Sequence, residues 1–189
     1  MRDDERAVVA QAKTDRRAFG QLYDRYVERI YAYAYRQTQD VAAAQDITAV
    51  TFEKALNHLD QFNWQGKSFC AWLYRIAYNE AMQHHRRQRW LAPLKFFQPR
   101  PNTQKRQPET AVQQQEHRAI LHQALDKLAK RDKDIIVLRF FEELATDDIA
   151  VILNCSSANV YVRLHRALKR LRHQIEKLDS TQEVDYVIR

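Results

Sequence analysis

Glycine is nearly missing from this chain: its 189 residues hold two, Gly20 and Gly66. A sheet protein built on tight turns needs more of it, and no alternation of apolar and polar residues runs long enough to mark strands. Together with the abundance of Ala, Leu, Gln, Arg and Lys, the shortage predicts an all-α protein. Cysteine is scarce as well. Cys70 and Cys155 are too few and too far apart for a disulfide framework or a zinc pattern, and both fall near apolar helix positions, where buried thiols are expected. The adjacent His84 and His85 cannot turn both rings to one helix face, so no metal site and no cofactor is expected. No apolar run reaches the roughly 18 residues of a membrane span. The N-terminal MRDDERAVVAQAK has no apolar core of a signal peptide. A soluble, cytoplasmic chain with no membrane insertion is the expectation.

Positive charge is what the chain has in excess. Lys and Arg number 31 against 24 Asp and Glu, a net charge of +7. That balance favours an anionic partner, nucleic acid or an acidic protein surface, without choosing between them.

Proline is confined to one stretch. Pro93, Pro99, Pro101 and Pro108 all fall in LAPLKFFQPRPNTQKRQPET, which has no helical period. Proline removes backbone donors and restricts its predecessor, so residues 93–112 are predicted to be an extended linker. It separates two small helical domains, 1–92 and 113–178, with a C-terminal tail at 179–189. Phe96 and Phe97 are expected to pack on a domain or a partner. The tail is expected to fray. Its apolar end, Tyr186, Val187 and Ile188, leaves open a docking segment for a regulator.

In the first domain, Phe19, Leu22, Tyr23, Tyr26, Val27 and Ile30 make a helical stripe. Val41, Ala44, Ile47, Thr51, Ala55 and Leu59 make a second, less regular one. Phe69, Trp72, Leu73, Ile76 and Ala77 make a third. Between the last two lies the polar loop LDQFNWQGKS. Its Phe62 and Trp64 suit two roles, capping a core or stacking on unpaired bases. On the third helix, Arg75, Asn79, Met82 and Arg86 recur at i, i+4, i+7 and i+11 opposite the apolar face, and the helix ends in HHRRQRW.

A second basic face lies in DDIAVILNCSSANVYVRLHRALKRLRHQ. Ile149, Ile152 and Leu153 mark a short helix; Val160, Leu164, Leu168, Leu171, Ile175 and Leu178 mark a longer one. Thr146 suits the first cap, with Asp147 and Asp148 in the first turn, and Ser156 or Ser157 suits the second. Asn154 falls where a sharp turn needs a left-handed residue. The result is a helix-turn-helix. Asn159, Val162, Arg166, Lys169 and His173 point away from the apolar stripe, flanked by Arg163, His165 and Arg170. Such a helix suits a major groove, with its N-terminal residues on base edges and its cations near phosphate.

A stand-alone helix-turn-helix regulator explains residues 146–173 but not the Arg75/Asn79/Arg86 face. An enzyme is not expected. The acid pairs Asp3-Asp4 and Asp147-Asp148 sit at a terminus and a helix start, and no metal-ligand set converges on them.

The ordered set of segments resembles the extracytoplasmic-function (ECF) class of bacterial sigma factors, the promoter-recognition subunits of RNA polymerase. AFGQLYDRYVERIYAYAYRQTQDVAAAQDITAVTFEKAL is similar to the first part of the sigma-2 domain. SFCAWLYRIAYNEAMQHHRR is similar to its DNA-reading helix. ALDKLAKRDKDIIVLRFFEELATDDIAVILNCSSANVYVRLHRALKRLR is similar to the sigma-4 domain. The resemblance implies a sigma-2-like helical bundle at 1–92 that docks on the clamp coiled coil of core RNA polymerase and reads and opens the −10 element. It implies a sigma-4-like domain at 113–178 that reads the −35 element as duplex beside the polymerase flap. A flipped base would enter a pocket formed by the loop around Phe62–Lys67.

Carried over residue by residue, the −10 contacts are Phe62, Trp64, Lys67, Arg75, Asn79 and Arg86. The −35 contacts are Ser157, Asn159, Tyr161, Val162, Arg163 and Arg166. Core-polymerase contacts are Asp46, Thr48, Phe52 and Lys54. An anti-sigma protein is a further possible partner. The chain departs from the family pattern at Gln45, Ala49 and Val50, at Asn154 in place of a usual turn glycine, and at Tyr161-Val162 in place of a common Lys-Ser pair. His84 and His85 are expected to lie at a solvated helix end.

Overall fold

The computed structural model describes residues 2–64, 68–91 and 112–187. Lys67, Phe96, Phe97 and the proline-containing linker lie outside the described residues. Every described element is helical. The Cα positions group into two compact units, Met1–Gln98 with Asp147–Cys155, and Pro99–Thr146 with Ser156–Arg189.

The first unit opens with a helix that the sequence reading did not anticipate, α1 (Arg2–Thr14). Glu5, Val8, Val9 and Ala12 recur at i, i+3, i+4 and i+7, and all four are buried. Asp15 ends this helix region by capping a short 3₁₀ turn, Arg16–Ala18, accepting from the Arg17 amide at 2.9 Å. Helix α2 follows (Phe19–Thr38), and of its predicted stripe Phe19, Leu22, Tyr26 and Ile30 are buried, Val27 is half-buried and Tyr23 is exposed, while Tyr33 and Ala34 extend the buried face. Gln39, at φ 54°, closes α2 in the left-handed region, its amide donating to the Tyr35 carbonyl at 2.8 Å. Asp40 then caps α3 (Val41–Asn57) by accepting from the Ala43 amide at 2.9 Å.

Helix α3 packs on α2 and on α4 (Phe69–Leu91). Ala34, Ala44 and Ala81, one from each helix, meet around Ile47. Side chains of a single methyl let three helices approach closely there. Larger rings fill the rest: Tyr33 meets Tyr74 edge-on at 5.5 Å, and Tyr26 lies 5.9 Å from Phe69. Two further positions on α3 and α4 differ from expectation. Val41 is exposed, because it occupies the first turn of α3, outside the packed face. Met82 packs against the alanine cluster instead of standing on the basic face.

In the second unit, α5 (Val112–Asp126) and α6 (Lys130–Ile136) pack on α8 (Ser157–Val187), which the short helix α7 (Thr146–Leu153) precedes in the chain. The α6 chain continues as a π-helical turn, Val137–Phe141. Ile120, Leu125, Ile135, Leu138, Leu144, Val160, Ala167 and Leu171 are buried. Asp132 and Asp134, also buried, each have a cation: Arg170 reaches Asp132 at 2.6 Å and Lys130 reaches Asp134 at 3.2 Å. Glu143, at φ 54°, turns the chain after the π turn, and the Leu144 amide donates back to the Leu138 carbonyl at 3.1 Å. The buried stripe of α8 runs through Val160, Ala167 and Leu171. Leu168, expected on it, is 37% exposed, one residue round from the packed face. The helix also continues to Val187, through most of the segment expected to fray.

Candidate nucleic-acid interface

The loop after α3 begins with a 3₁₀ turn, Leu59–Gln61, closed by the Phe62 amide on the Leu59 carbonyl at 3.0 Å. Apolar burial then pulls Phe62 inward. Its ring is 3% exposed and lies 5.1 Å from Trp64, 5.5 Å from Phe69 and 5.1 Å from Trp72. Phe62 is thus a prop beneath the loop, with no free face for a base. Trp64 is half-buried, edge-on to Phe62, with the Arg6 guanidinium 5.3 Å from its ring centre.

Beside this loop a groove of about 500 Å³ runs between the end of α3 and α4. Trp72, Ile76, Asn79, Gln83 and Arg86 line it from α4, and Lys54, His58 and Gln61 line it from the other wall. Asn79 and Arg86 therefore stand on one surface, as expected. Arg75 is half-buried and is not among the residues that line the groove. Trp72, Ile76 and Gln83 were missed as groove residues. The signal was present: 72, 76, 79, 83 and 86 follow the i, i+4, i+7, i+11, i+14 spacing of one helix face. Apolar Trp72 and Ile76 were assigned to the core, whereas both are half-buried and form the groove's apolar floor.

Of the four residues expected at polymerase, Asp46 is exposed on α3. Phe52 is 4% exposed, with its ring 4.8 Å from Tyr23 and 6.4 Å from Phe19. Thr48 is buried, its hydroxyl donating to the Ala44 carbonyl at 2.7 Å. Both belong to the core that holds α3 in place, which corrects their assignment as direct contacts. Lys54 is engaged across the groove by Glu80 at 2.7 Å.

In the second unit Ser156 caps α8, accepting from the Asn159 amide at 3.2 Å. The preceding turn has Asn154 in the left-handed region, φ 52°, where the sequence placed it. The first turns of α8 present Asn159, Tyr161 and Val162, with Tyr161 63% and Val162 49% exposed. Arg166 is exposed one turn on, while Ser157 and Arg163 are half-buried. Arg166, Lys169, Arg170 and His173 then line a groove of about 700 Å³ with Lys127 and Asp132. The face combines polar and apolar groups at the helix start with cations further along, the distribution that base edges and phosphates require.

Among the described residues no group of three or more His, Cys, Asp or Glu is placed to hold a metal ion. No helix among them is long and apolar enough to cross a membrane.

A family model described as Sigma-70 region 2 matches residues 22–91, and one described as Sigma-70, region 4 matches residues 108–171. The chain is 32% identical over 168 residues to the RNA polymerase sigma factor YlaC of Bacillus subtilis, covering 86% of this chain and 95% of that one. It is 31% identical over 175 residues to the ECF RNA polymerase sigma factor SigW of Bacillus subtilis, covering 88% and 93%. Identity to the ECF RNA polymerase sigma factor BldN of Streptomyces coelicolor is 30% over 168 residues, covering 88% of this chain and 62% of that protein's length. Among solved structures, CnrH in complex with the cytosolic domain of CnrY superposes with a TM-score of 0.66 at 26% identity, covering 92% of this chain and 97% of that one. RpoE of Bartonella quintana, in complex with the anti-sigma factor NepR, shares the fold, with a TM-score of 0.64 at 23% identity and coverage of 84% and 96%.

Proposed function

The chain belongs to the ECF class of the sigma-70 family of RNA polymerase sigma factors, and from that premise we propose which of its surfaces read a promoter. It is an initiation factor, with core RNA polymerase and promoter DNA as its partners. The boundaries that fit this role are a sigma-2-like domain at 1–92, a linker at 93–112 and a sigma-4-like domain at 113–178.

The α3/α4 groove takes the single strand of the −10 element. Opening a duplex loses stacking and pairing, and an aromatic platform beside hydrogen-bonding groups offsets that loss by about 1–3 kcal/mol per stacked base. Trp72 and Trp64 supply ring surface, Asn79 supplies donors and acceptors, and Arg86 supplies charge for the backbone. Arg75 and Lys67 complete the proposed set of −10 contacts.

The start of α8 takes the −35 element in its major groove. Asn159 meets base edges, Tyr161 and Val162 supply apolar surface for thymine methyls, and Ser157, Arg163 and Arg166 hold phosphate. Asp46 is the polymerase contact on α3. An anti-sigma protein is a fitting regulator, since RpoE, which shares the fold, was solved with the anti-sigma factor NepR, and CnrH with the cytosolic domain of CnrY; the cytoplasm is where such a complex would act.

The observation that carries this reading is the groove on α4. A regulator working through its helix-turn-helix alone has no use for an Asn79/Arg86 face beside half-buried tryptophans in another unit. Genome-wide run-off transcription with purified core polymerase, with and without this chain, tests it. New start sites sharing two upstream elements are expected. No new starts, where a known sigma factor works under the same conditions, would give the role to the stand-alone regulator.

A further inference from the structure

We infer that α1 is a brace for the base-reading loop, with Lys13 and Arg6 as positioning residues that hold Asp60–Trp64 against the α4 groove. This rests on the reading of that loop and groove as the −10 surface.

The geometry has three parts. Lys13, in the last turn of α1, donates from Nζ to the Phe62 carbonyl at 2.6 Å and to the Asp60 carbonyl at 3.4 Å. One ammonium thus ties two carbonyls at the exit of the 3₁₀ turn, where backbone acceptors run out of helical donors. Two turns earlier on the same face, the Arg6 guanidinium sits over the Trp64 ring, 5.3 Å from its centre. Val9, between them in spacing, is fully buried and fixes that face inward.

A brace must itself be anchored, and α1 is anchored at its other end. The buried Glu5 carboxylate accepts from the Tyr26 phenol of α2, and Asp4 pairs with Arg25 at 2.8 Å. These contacts therefore link α2 to the loop through one short helix. The loop sits between two supports, the Phe62 aromatic cluster beneath it and the Lys13 ammonium at its carbonyls.

A charge-assisted bond of this kind, once lost, loosens what it held. The expected consequence is a drop in strand capture of about tenfold or more, with polymerase binding unaffected. The experiment uses the full chain with core polymerase on a promoter carrying 2-aminopurine in the non-template −10 strand. Lys13→Met, Lys13→Arg and Arg6→Ala are compared with wild type for fluorescence rise, holoenzyme assembly and thermal unfolding. Hydrogen exchange at the Asn63 and Trp64 amides is followed without DNA.

Lys13→Met is expected to lose strand capture and to speed exchange at both amides. Lys13→Arg should restore both, because a guanidinium still donates to the two carbonyls. Arg6→Ala should speed exchange at Trp64 alone and reduce capture less. Wild-type capture by Lys13→Met, or equal loss in Lys13→Met and Lys13→Arg, overturns the brace. Should Lys13→Met fail to fold, a folded Arg6→Ala with unchanged Trp64 exchange overturns it as well. A wild-type holoenzyme with no 2-aminopurine response would instead overturn the strand-binding reading, leaving the brace to be judged on exchange.

Discussion

Lys54 of α3 and Glu80 of α4 neutralise each other inside the groove that Asn79 and Arg86 line, Nζ standing 2.7 Å from the carboxylate. Lys54 is 44% exposed and Glu80 only 13%, so the acid is the buried partner and the lysine faces outward. The pair lowers the positive potential of the surface proposed to read the strand.

Glu80→Gln frees that cation. Affinity for single-stranded −10 DNA should rise about two- to fivefold at moderate salt, and the salt dependence of binding should steepen by about 0.7 in log–log slope. Titrations at several salt concentrations measure both. An unchanged slope would mean that Lys54 does not reach the phosphates.

Asp46 and Phe52 should separate cleanly. Phe52→Ala removes a buried ring from between Tyr23 and Phe19 and should cost about 3–5 kcal/mol of stability. Asp46→Ala, on the exposed face, should stay within about 0.5 kcal/mol of wild type yet weaken competition for core polymerase. Denaturant melts and a competition assay check the pair. Normal competition by Asp46→Ala would remove that residue from the interface.

Glu143, an exposed residue, holds φ 54°. Glycine adopts that region without the clash between Cβ and the carbonyl, so Glu143→Gly should raise stability by about 0.5–1 kcal/mol. Asn154→Gly should change it by much less, since asparagine tolerates the left-handed region. Matched chemical denaturation curves give both values.

Alkaline pH should expose Tyr26. Burial, reinforced by its hydrogen bond to Glu5, raises the Tyr26 phenol well above its ordinary value near 10. The unfolded chain ionises it near pH 10 while the folded chain keeps the proton. Its contribution is therefore complete below pH 10 and falls as pH rises beyond, by up to about 1.4 kcal/mol per pH unit. Tyr26→Phe should be less stable at pH 7, since Glu5 loses its donor, and flatter between pH 10 and 11. Parallel slopes for the two proteins would refute the assignment.

The helices that the sequence revealed are those whose apolar period survives without interruption. Phe19 to Ile30 repeats for three turns, and Asn154 with Ser156 marks its turn by chemistry alone. Helix α1 escaped notice because Asp4, Glu5 and Arg6 crowd its first turns, and Val8, Val9 and Ala12 are too few to establish a period by themselves. Phe62 shows the limit of a resemblance: the residues alone favour a core cap over a base stack, the burial of its ring among Trp64, Phe69 and Trp72 agrees with the cap, and the placement at a base came only from the family pattern. Thr48 and Phe52 sat in a recognisable motif, and a motif does not distinguish a residue that touches a partner from one that shapes the helix presenting it. Trp72 and Ile76 show the converse: apolar character was taken for core where it lines a groove.

Helix α8 is a single rod of 31 residues, about 46 Å long. Asp179 lies roughly 33 Å along its axis from Ser157, close to one full turn of B-DNA. A rod seated by its first turn in a major groove carries its far end clear of the duplex. A fluorophore there becomes a pointer: a change of a few degrees at the base edges moves it by ångströms, making the tilt of promoter engagement measurable by energy transfer.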